Sequence, residues 1–322
     1  MDDGGTRSFR PEVMAAAGFP TISFDDLEVG TEFRSDDRLI RPQDIDAYAF
    51  MTGDDDDLFF EPGPFGPPVA HPTLLANQAL FLRHTRFFVP AGLHARMTFE
   101  FRQPARLGTR ARTTGRVVDR YLRRDKPYMV TEFITADDAG TVLTTGRFVQ
   151  MLFRDATAPP PGSGQPPEPE PPMLDSSITT AQGRRGTLAA GQHLIGPTRT
   201  VGQRQIDAYS GVRPGSIHTD EGWATAKGFP TTIAQGMMST AYVSALLTGE
   251  LGAGFVAGGS MDVRFLRPVH QGDRLTTTGV IQGFAGFEGD PGRVRVVVDV
   301  EITNQRGERT LAGMASGLAM AS

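Results

Sequence analysis

The residues best suited to chemistry lie in one glycine-rich stretch, SGVRPGSIHTDEGWATAKGF, which runs from Ser210 to Phe229. It carries His218 and, two residues later, Asp220. A neutral imidazole and an ionised carboxylate acting on one water can remove and deliver protons, so this pair is a candidate for general acid–base catalysis. Arg213 and Ser216 precede the histidine and are further polar candidates. The alternative for His218 is a loop histidine whose ring only packs or caps.

Several other chemistries lack support in the sequence. The chain contains no cysteine, which removes thiolate nucleophiles, thiolate metal sites and disulfides. The six histidines are scattered without ligand spacing, so we expect no metal site. The acidic run Asp54–Asp57 lacks the alternating spacing of a calcium loop. The glycine-rich segment Gly252–Gly259 follows a predicted helix and precedes a strand, the reverse of a dinucleotide-binding turn. We therefore expect no cofactor.

Length and composition indicate a soluble protein large enough for two domains. The chain has 322 residues, 39% of them hydrophobic, which is enough for two domains with buried cores. Its net charge of −5 disfavours binding to nucleic acid, because no basic patch is available to neutralise phosphates. No signal-peptide pattern opens the sequence and no apolar run approaches the roughly 18 residues of a membrane span. We expect a cytoplasmic protein with no membrane association.

The two halves of the sequence repeat each other at an offset of 164 residues. The segment FEFRQPARLGTRARTTG (99–115) aligns without gaps on VRFLRPVHQGDRLTTTG (263–279). Upstream, VAHP (69–72) aligns on IAQG (233–236) at the same offset, and IDAY recurs at 45–48 and 206–209 at an offset of 161. A gap-free match of this length predicts an internal duplication, with a three-residue difference in one loop.

A proline-rich segment separates the two copies. Residues 155–176 contain eight prolines and almost no large apolar side chains, which is typical of an extended surface linker. Residues 1–18 resemble a disordered tail. The sequence thus predicts an N-terminal domain at 19–154 and a C-terminal domain at 177–322.

Each copy shows the same order of secondary-structure signals. A short helix (roughly 42–51 and 203–209) precedes a long Pro- and Gly-rich loop. A helix of about four turns follows, in HPTLLANQALFLRHTRFF and QGMMSTAYVSALLTGEL, with apolar residues at helical spacing. Four β-type runs complete the copy, in the second half SMDVRFLRPV, DRLTTTGVIQGF, RVRVVVDVEIT and RTLAGMASGLAM. This order predicts an antiparallel sheet wrapped around a long helix.

The second copy resembles the MaoC-like (R)-specific enoyl-CoA hydratases and 3-hydroxyacyl-thioester dehydratases. Ser210-Gly211 and Ile217-His218-Thr219-Asp220 correspond to parts of the family loop S-G-D-x-N-P-(I/L)-H-x-D, and Ile233–Met237 corresponds to I-A-H-G-M with Gln235 in place of histidine. The first copy is similar to the companion domain of the same proteins. The resemblance covers about residues 20–153 and 185–320. It implies a double hot-dog fold, of class α+β, in which two tandem hot-dog units each wrap an antiparallel sheet around a long central helix.

The resemblance also implies a reaction. Hydration of an enoyl thioester needs a water activated for attack at C3 and a proton delivered to C2, which an aspartate and a histidine perform together in the family. The thioester oxygen gathers negative charge, and a backbone N–H at a helix start can stabilise it. In the family this N–H belongs to the glycine that corresponds to Gly236.

The two copies differ in how much of this machinery they retain. In the first copy, Asp54 occupies the position of the catalytic aspartate, but Phe59 replaces the histidine. Pro72, which has no N–H, replaces the helix-start glycine. Asp54 and His71 are therefore candidates for relics of a lost site, and the first copy is expected to shape the acyl pocket.

The second copy keeps His218 and Gly236 but has Val212 where the aspartate belongs. We expect one active site per chain, on this copy, with His218 and Asp220 as catalytic candidates. The residues expected to bind substrate or the oxyanion are Gly236, Gln235, Arg213 and Ser216.

The expected activity is a hydro-lyase acting on an acyl thioester, most simply an enoyl-CoA or 3-hydroxyacyl-CoA, with coenzyme A as part of the substrate. The alternatives are a non-catalytic acyl-CoA-binding or complex-partner protein, and an isomerase or hydrolase on the same scaffold. The partner is a small-molecule thioester, and a homodimer is left open.

Overall fold

The structure is a computed structural model that describes residues 20, 22, 24, 27–87, 92–152 and 173–322. The predicted tail (1–18), most of the predicted linker (155–172) and the domain boundary at residues 154 and 155 lie outside the described residues. The boundaries of the two domains therefore remain predictions.

The described part of the first half contains two α-helices and six strands. The helices are α1 (Pro42–Thr52) and α2 (Pro72–Leu80), and short 3-10 turns lie at Asp57–Phe59 and Leu82–Thr85. The strands are β1 (Glu32–Arg34), β2 (Arg38–Leu39), β3 (Gly92–Phe101), β4 (Arg110–Arg123), β5 (Lys126–Asp137) and β6 (Val142–Leu152).

The second half follows the same order with a longer central helix. Its helices are α3 (Gln203–Ser210), α4 (Glu221–Ala226), α5 (Gly236–Leu251) and α6 (Ala253–Val256). Its strands are β7 (Thr180–Gln182), β8 (Thr187–Ala189), β9 (His193–Ile195), β10 (Arg199–Thr200), β11 (Ser260–Phe265), β12 (Arg274–Gly286), β13 (Arg293–Thr303) and β14 (Arg309–Ala321). The short helix predicted at 203–209 and the four long strands predicted for this half are confirmed, whereas helix α4 was not predicted.

The strands of both halves form one continuous antiparallel sheet of 14 strands. Along its main path the order is β1-β4-β5-β6-β3-β11-β14-β13-β12-β10. The halves meet where β3 pairs with β11, and Thr98 lies opposite Asp262 in that ladder. These two residues are also equivalent at the repeat offset of 164, so a pseudo-two-fold axis passes between them.

A charged pair fastens the seam between the halves. Arg96 on β3 donates from Nε and Nη2 to the two carboxylate oxygens of Asp262 on β11, at 2.7 and 2.5 Å. Both side chains are largely shielded from solvent. A bidentate pair of this kind fixes the register of the two strands as well as adding attraction.

The central helix of each half fills the concave side of its sheet. Helix α5 is buried around most of its circumference, from Met237 to Leu251, as expected for a helix enclosed by a sheet. Helix α2 is shorter than the four turns predicted for it, because the chain tightens into the 3-10 turn Leu82–Thr85 after Phe81. There the hydroxyl of Thr85 donates to the carbonyl of Leu82 at 2.6 Å.

Each half is thus one antiparallel sheet wrapped around one helix, and the predicted double hot-dog architecture is confirmed. No helix among the described residues is long and apolar enough to cross a membrane.

Candidate active site

The loop that carries His218 is braced from within. We call Gly211–Asp220 the His218 loop. Asp220 caps helix α4: its Oδ1 accepts from the amide of Trp223 and its Oδ2 accepts from the amide of Gly215, both at 2.9 Å. Backbone donors hold the pKa of Asp220 below its ordinary value. The hydroxyl of Ser216 accepts from the amide of His218 at 3.2 Å. Asp220 and Ser216 therefore hold the loop in shape.

The His218 ring is fixed by one hydrogen bond. Its Nδ1 lies 2.7 Å from the carbonyl oxygen of Ile233, an acceptor that requires the proton on Nδ1. Burial lowers the pKa of His218 to about 4, opposed by the Ile233 bond and aided by the charge of Arg213. The imidazole is therefore neutral near pH 7. Its Nε2 is unprotonated and accepts no hydrogen bond from a described residue.

The start of helix α5 lies near this loop, because Ile233, whose carbonyl bonds the His218 ring, lies three residues before Gly236. Gly236 is the first helical residue and Gln235 is its N-cap. The first amides of a helix have no intrahelical acceptor and lie at the positive end of the helix dipole. A Cβ on Gly236 would lie 2.9 Å from the ring of Phe265, so glycine here also permits that ring to pack against the helix. The Gln235 side chain is 8% exposed and makes no hydrogen bond to a described residue.

The first copy contributes polar residues to the same region. His94 on β3 lies with its ring 6.0 Å from the ring of Phe265, and its Nδ1 is 3.1 Å from Nε2 of Gln150 on β6. Burial, together with the charges of Arg83 and His218, lowers the pKa of His94 to about 3. His94 is therefore close enough to His218 to sense its protonation.

Sequence reasoning missed these first-copy residues, although a signal was present. The 164-residue offset places Leu247, Gly258 and Met314 at the positions of Arg83, His94 and Gln150. Polar residues thus occur in the first copy where the second copy has apolar or small ones.

No carboxylate completes a dyad with His218 among the described residues. Both oxygens of Asp220 are engaged by backbone amides, and neither contacts the imidazole. Arg213, the other loop candidate, has its backbone held in both directions by the hydroxyl of Thr219 at 3.1 Å. The site therefore combines one neutral base, one helix start and cationic neighbours.

The corresponding region of the first copy is closed. His71 is 0% exposed, donates from Nε2 to the backbone carbonyl of Asp54 at 2.8 Å, and stacks on the ring of Phe59 at 3.8 Å. Burial lowers the pKa of His71 to about 4. The Asp54 carboxyl is 5% exposed, and burial raises its pKa to about 7, opposed by Arg199. Asp54 and His71, which the sequence suggested as relics of a lost site, are therefore both buried.

Within the part of the chain that the structure describes, no group of three or more histidine or acidic side chains is placed to hold a metal ion.

One known protein family matches the second half of the sequence. Residues 187–304 match the family described as MaoC like domain. No curated protein matches the sequence.

Solved structures match over nearly the whole chain. A protein described as a MaoC domain dehydratase from Chloroflexus aurantiacus has a TM-score of 0.76 and 15% identity, covering 94% of this chain and 98% of that one. A Mycobacterium tuberculosis protein described as having a double hot-dog fold has a TM-score of 0.64 and 16% identity, covering 94% and 99%. A MaoC-like dehydratase from Phytophthora capsici has a TM-score of 0.62 and 18% identity, with the same coverage. At these identities the matches show the fold.

Proposed function

Because residues 187–304 match the MaoC like domain family, we propose that this protein is a hydro-lyase that adds water to an enoyl thioester, or removes it from a 3-hydroxyacyl thioester. The acyl group is carried by coenzyme A in this proposal, and the reaction takes place at His218. The observation that carries it is the Nδ1 bond to Ile233, which leaves Nε2 of a neutral imidazole as the available base.

The addition of water can be performed by one imidazole. Nε2 of His218 accepts a proton from water as the water oxygen bonds to C3 of the double bond. The electron pair of the double bond moves to C2 and the thioester oxygen, forming an enolate. The imidazolium then returns its proton to C2, so one water has been added across C2 and C3. The low pKa of His218 makes its imidazolium a stronger acid in this last step than an ordinary histidine would be.

The start of helix α5 is suited to the enolate. The amide of Gly236 supplies an N–H at the positive end of a 16-residue helix, where developing negative charge is stabilised. Gln235 offers an unengaged side-chain amide at the same helix end.

The absence of a carboxylate partner favours one second candidate. Shifting a double bond between C2–C3 and C3–C4 of a thioester needs a single base that removes and returns a proton, without water. His218 with no acid beside it among the described residues would suffice for such an isomerase.

One assay separates the two reactions. The protein is incubated with crotonyl-CoA and, separately, with 3-butenoyl-CoA. Hydrated products are identified by mass, and crotonyl-CoA formed from its isomer 3-butenoyl-CoA is identified by the ultraviolet absorbance of the conjugated thioester, because the two isomers have the same mass. A gain of 18 mass units from crotonyl-CoA, the mass of one water molecule, supports the hydratase, whereas conversion of 3-butenoyl-CoA to crotonyl-CoA without that gain supports the isomerase. His193→Ala is the matched control for His218→Ala, because His193 is exposed on β9. If wild type changes neither substrate, the catalytic proposal is wrong for these substrates and a binding role gains support.

A further inference from the structure

Arg83 is a buried cation with no acidic partner among the described residues. It lies in the 3-10 turn that follows the central helix of the first copy, and its side chain belongs to a residue only 5% exposed. Its Nη1 is buried and has no hydrogen-bond acceptor, and the guanidinium forms no ion pair with a described residue. Burial alone lowers its pKa to about 10, because no neighbouring acid opposes the effect.

Arg213 presents a second guanidinium with the same deficit. Its Nε is buried and has no acceptor, while its backbone is pinned to Thr219. Burial lowers its pKa as well, again without an acidic neighbour. Arg213 lies in the His218 loop of the second copy, so the two arginines come from opposite copies.

Both arginines are electrostatically coupled to histidines at or beside the candidate active site. After burial, the charges of Arg83 and Arg213 are the next causes that lower the pKa of His84, and Arg213 also lowers that of His218. His94 senses Arg83 and His218 together, and its ring lies 6.0 Å from Phe265, which packs on Gly236. The site is therefore bordered by two cations and contains no compensating acid among the described residues.

An unpaired buried cation is costly in a folded protein, since desolvation is not repaid by a counter-ion. Arginines kept in this condition beside a base are suited to an anionic ligand, whose carboxylate can accept two parallel hydrogen bonds from one guanidinium. We propose that the acyl group of the thioester substrate carries a carboxylate, which Arg83 and Arg213 hold while His218 acts on the double bond. The proposal rests on the proposed function and names its substrate class.

Burial favours a carboxylate on the acyl group over the phosphates of coenzyme A as the ligand. Arg83 is 5% exposed, and its charge acts on His94, which is also coupled to the reacting His218. In coenzyme A a long pantetheine arm separates the phosphates from the thioester, so the phosphates cannot easily reach groups beside the reacting carbons.

Matched substrates test the proposal directly. Fumaryl-CoA and crotonyl-CoA differ only by carboxylate against methyl, as do glutaconyl-CoA and 2-pentenoyl-CoA. We expect kcat/KM to favour the carboxylate in at least one pair by roughly ten- to a hundredfold, the effect of one charge-assisted hydrogen bond. Equal or lower values for both carboxylates would overturn the proposal.

Variants identify the residues responsible. Arg83→Met should abolish the preference and raise the melting temperature of the free protein, because it removes an unpaired buried charge. Arg213→Met provides a second test if the first variant folds poorly. Arg110→Met is the control, since Arg110 is exposed on β4, and it should leave the preference unchanged. A preference that survives both substitutions would contradict the assignment.

Two further arms separate the sources of error. The same comparison with pantetheine thioesters, which lack the nucleotide phosphates, should retain the preference. If Arg83→Met instead lowers kcat/KM for coenzyme A thioesters and leaves kcat/KM for pantetheine thioesters unchanged, the arginines bind phosphate and the carboxylate proposal is wrong. Binding of the unreactive pair succinyl-CoA and butyryl-CoA tests recognition without turnover. If no enoyl substrate reacts but succinyl-CoA binds more tightly in an Arg83-dependent manner, the hydratase proposal fails and the carboxylate proposal stands. If the two bind equally, the carboxylate proposal fails.

Discussion

His218 donates from Nδ1 to the backbone carbonyl of Ile233 at 2.7 Å, and Ile233 lies two residues before Gln235, the N-cap of helix α5. The bond orients the ring and selects the tautomer. It also links the base to the helix start that offers the Gly236 amide, so both groups keep a constant separation. Loop and helix therefore act as one unit in the proposed reaction.

The low pKa of His218 predicts an unusual pH profile. A base works while it is unprotonated, so a pKa of about 4 extends full activity to lower pH than an ordinary histidine with a pKa of 6.5 allows. We expect kcat/KM to stay level from neutral pH down to about pH 5. Circular dichroism at each pH checks that the protein remains folded. A decline centred near pH 6.5 in folded protein would contradict the described environment of His218.

Because the Asp54 carboxyl is buried, we expect the effect of Asp54→Asn on the free energy of unfolding to depend on pH. Its pKa is raised to about 7, above its unfolded value, so its favourable contribution is complete below pH 3.8 and is lost as pH rises through 7. Asp54→Asn should therefore stabilise the protein above pH 7, by roughly 1 to 4 kcal/mol, and have little effect near pH 4. Urea unfolding at both pH values measures the difference. Equal effects at the two pH values would show that the Asp54 charge is not the cause.

The contacts of Asp220 predict a structural effect on activity. Asp220→Asn retains one carbonyl acceptor and loses the other, so the bonds to Trp223 and Gly215 cannot both be kept. We expect a lower melting temperature and lower kcat/KM, with the shape of the pH profile unchanged because Asp220 does not contact the imidazole. A shifted pH profile would instead indicate that Asp220 acts on His218.

Because the Phe265 ring packs against Gly236, we expect a substitution of Phe265 to restore part of the activity that Gly236→Ala loses. Gly236→Ala places a methyl group 2.9 Å from the Phe265 ring, which must then move. We expect activity to fall by about tenfold or more, a loss typical of a misplaced oxyanion donor. Gly236→Ala combined with Phe265→Leu should recover part of it, because leucine frees space at that point. Phe265→Leu alone is the control. No recovery in the double variant would show that the ring contact does not cause the loss.

The fold could be predicted from the sequence because duplication imposes the same pattern twice. The 164-residue offset, the central helix of the second copy and its four long strands were all visible in the residue order. The length of helix α2 was predicted wrongly, because its apolar spacing continues through the 3-10 turn at Leu82–Thr85. Periodicity does not distinguish that turn from helix.

The site could be predicted only in part. His218 and Gly236 lie in short local motifs, whereas Arg83 and His94 reach the site across the seam between copies, more than 120 residues earlier in the chain. No local pattern connects residues so far apart. The role of Asp220 was also open, since only the structure shows both of its oxygens on backbone amides.

The central claim is that the reaction occurs on the second copy, at His218. Its most direct test is kcat/KM for hydration of a trans-2-enoyl-CoA by wild type, His218→Ala and Asp54→Asn, all shown to be folded. We predict a loss of roughly 100- to 10,000-fold for His218→Ala, as for removal of a general base, and near wild-type activity for Asp54→Asn. If Asp54→Asn abolishes hydration and His218→Ala does not, the active site belongs to the first copy and the assignment is wrong.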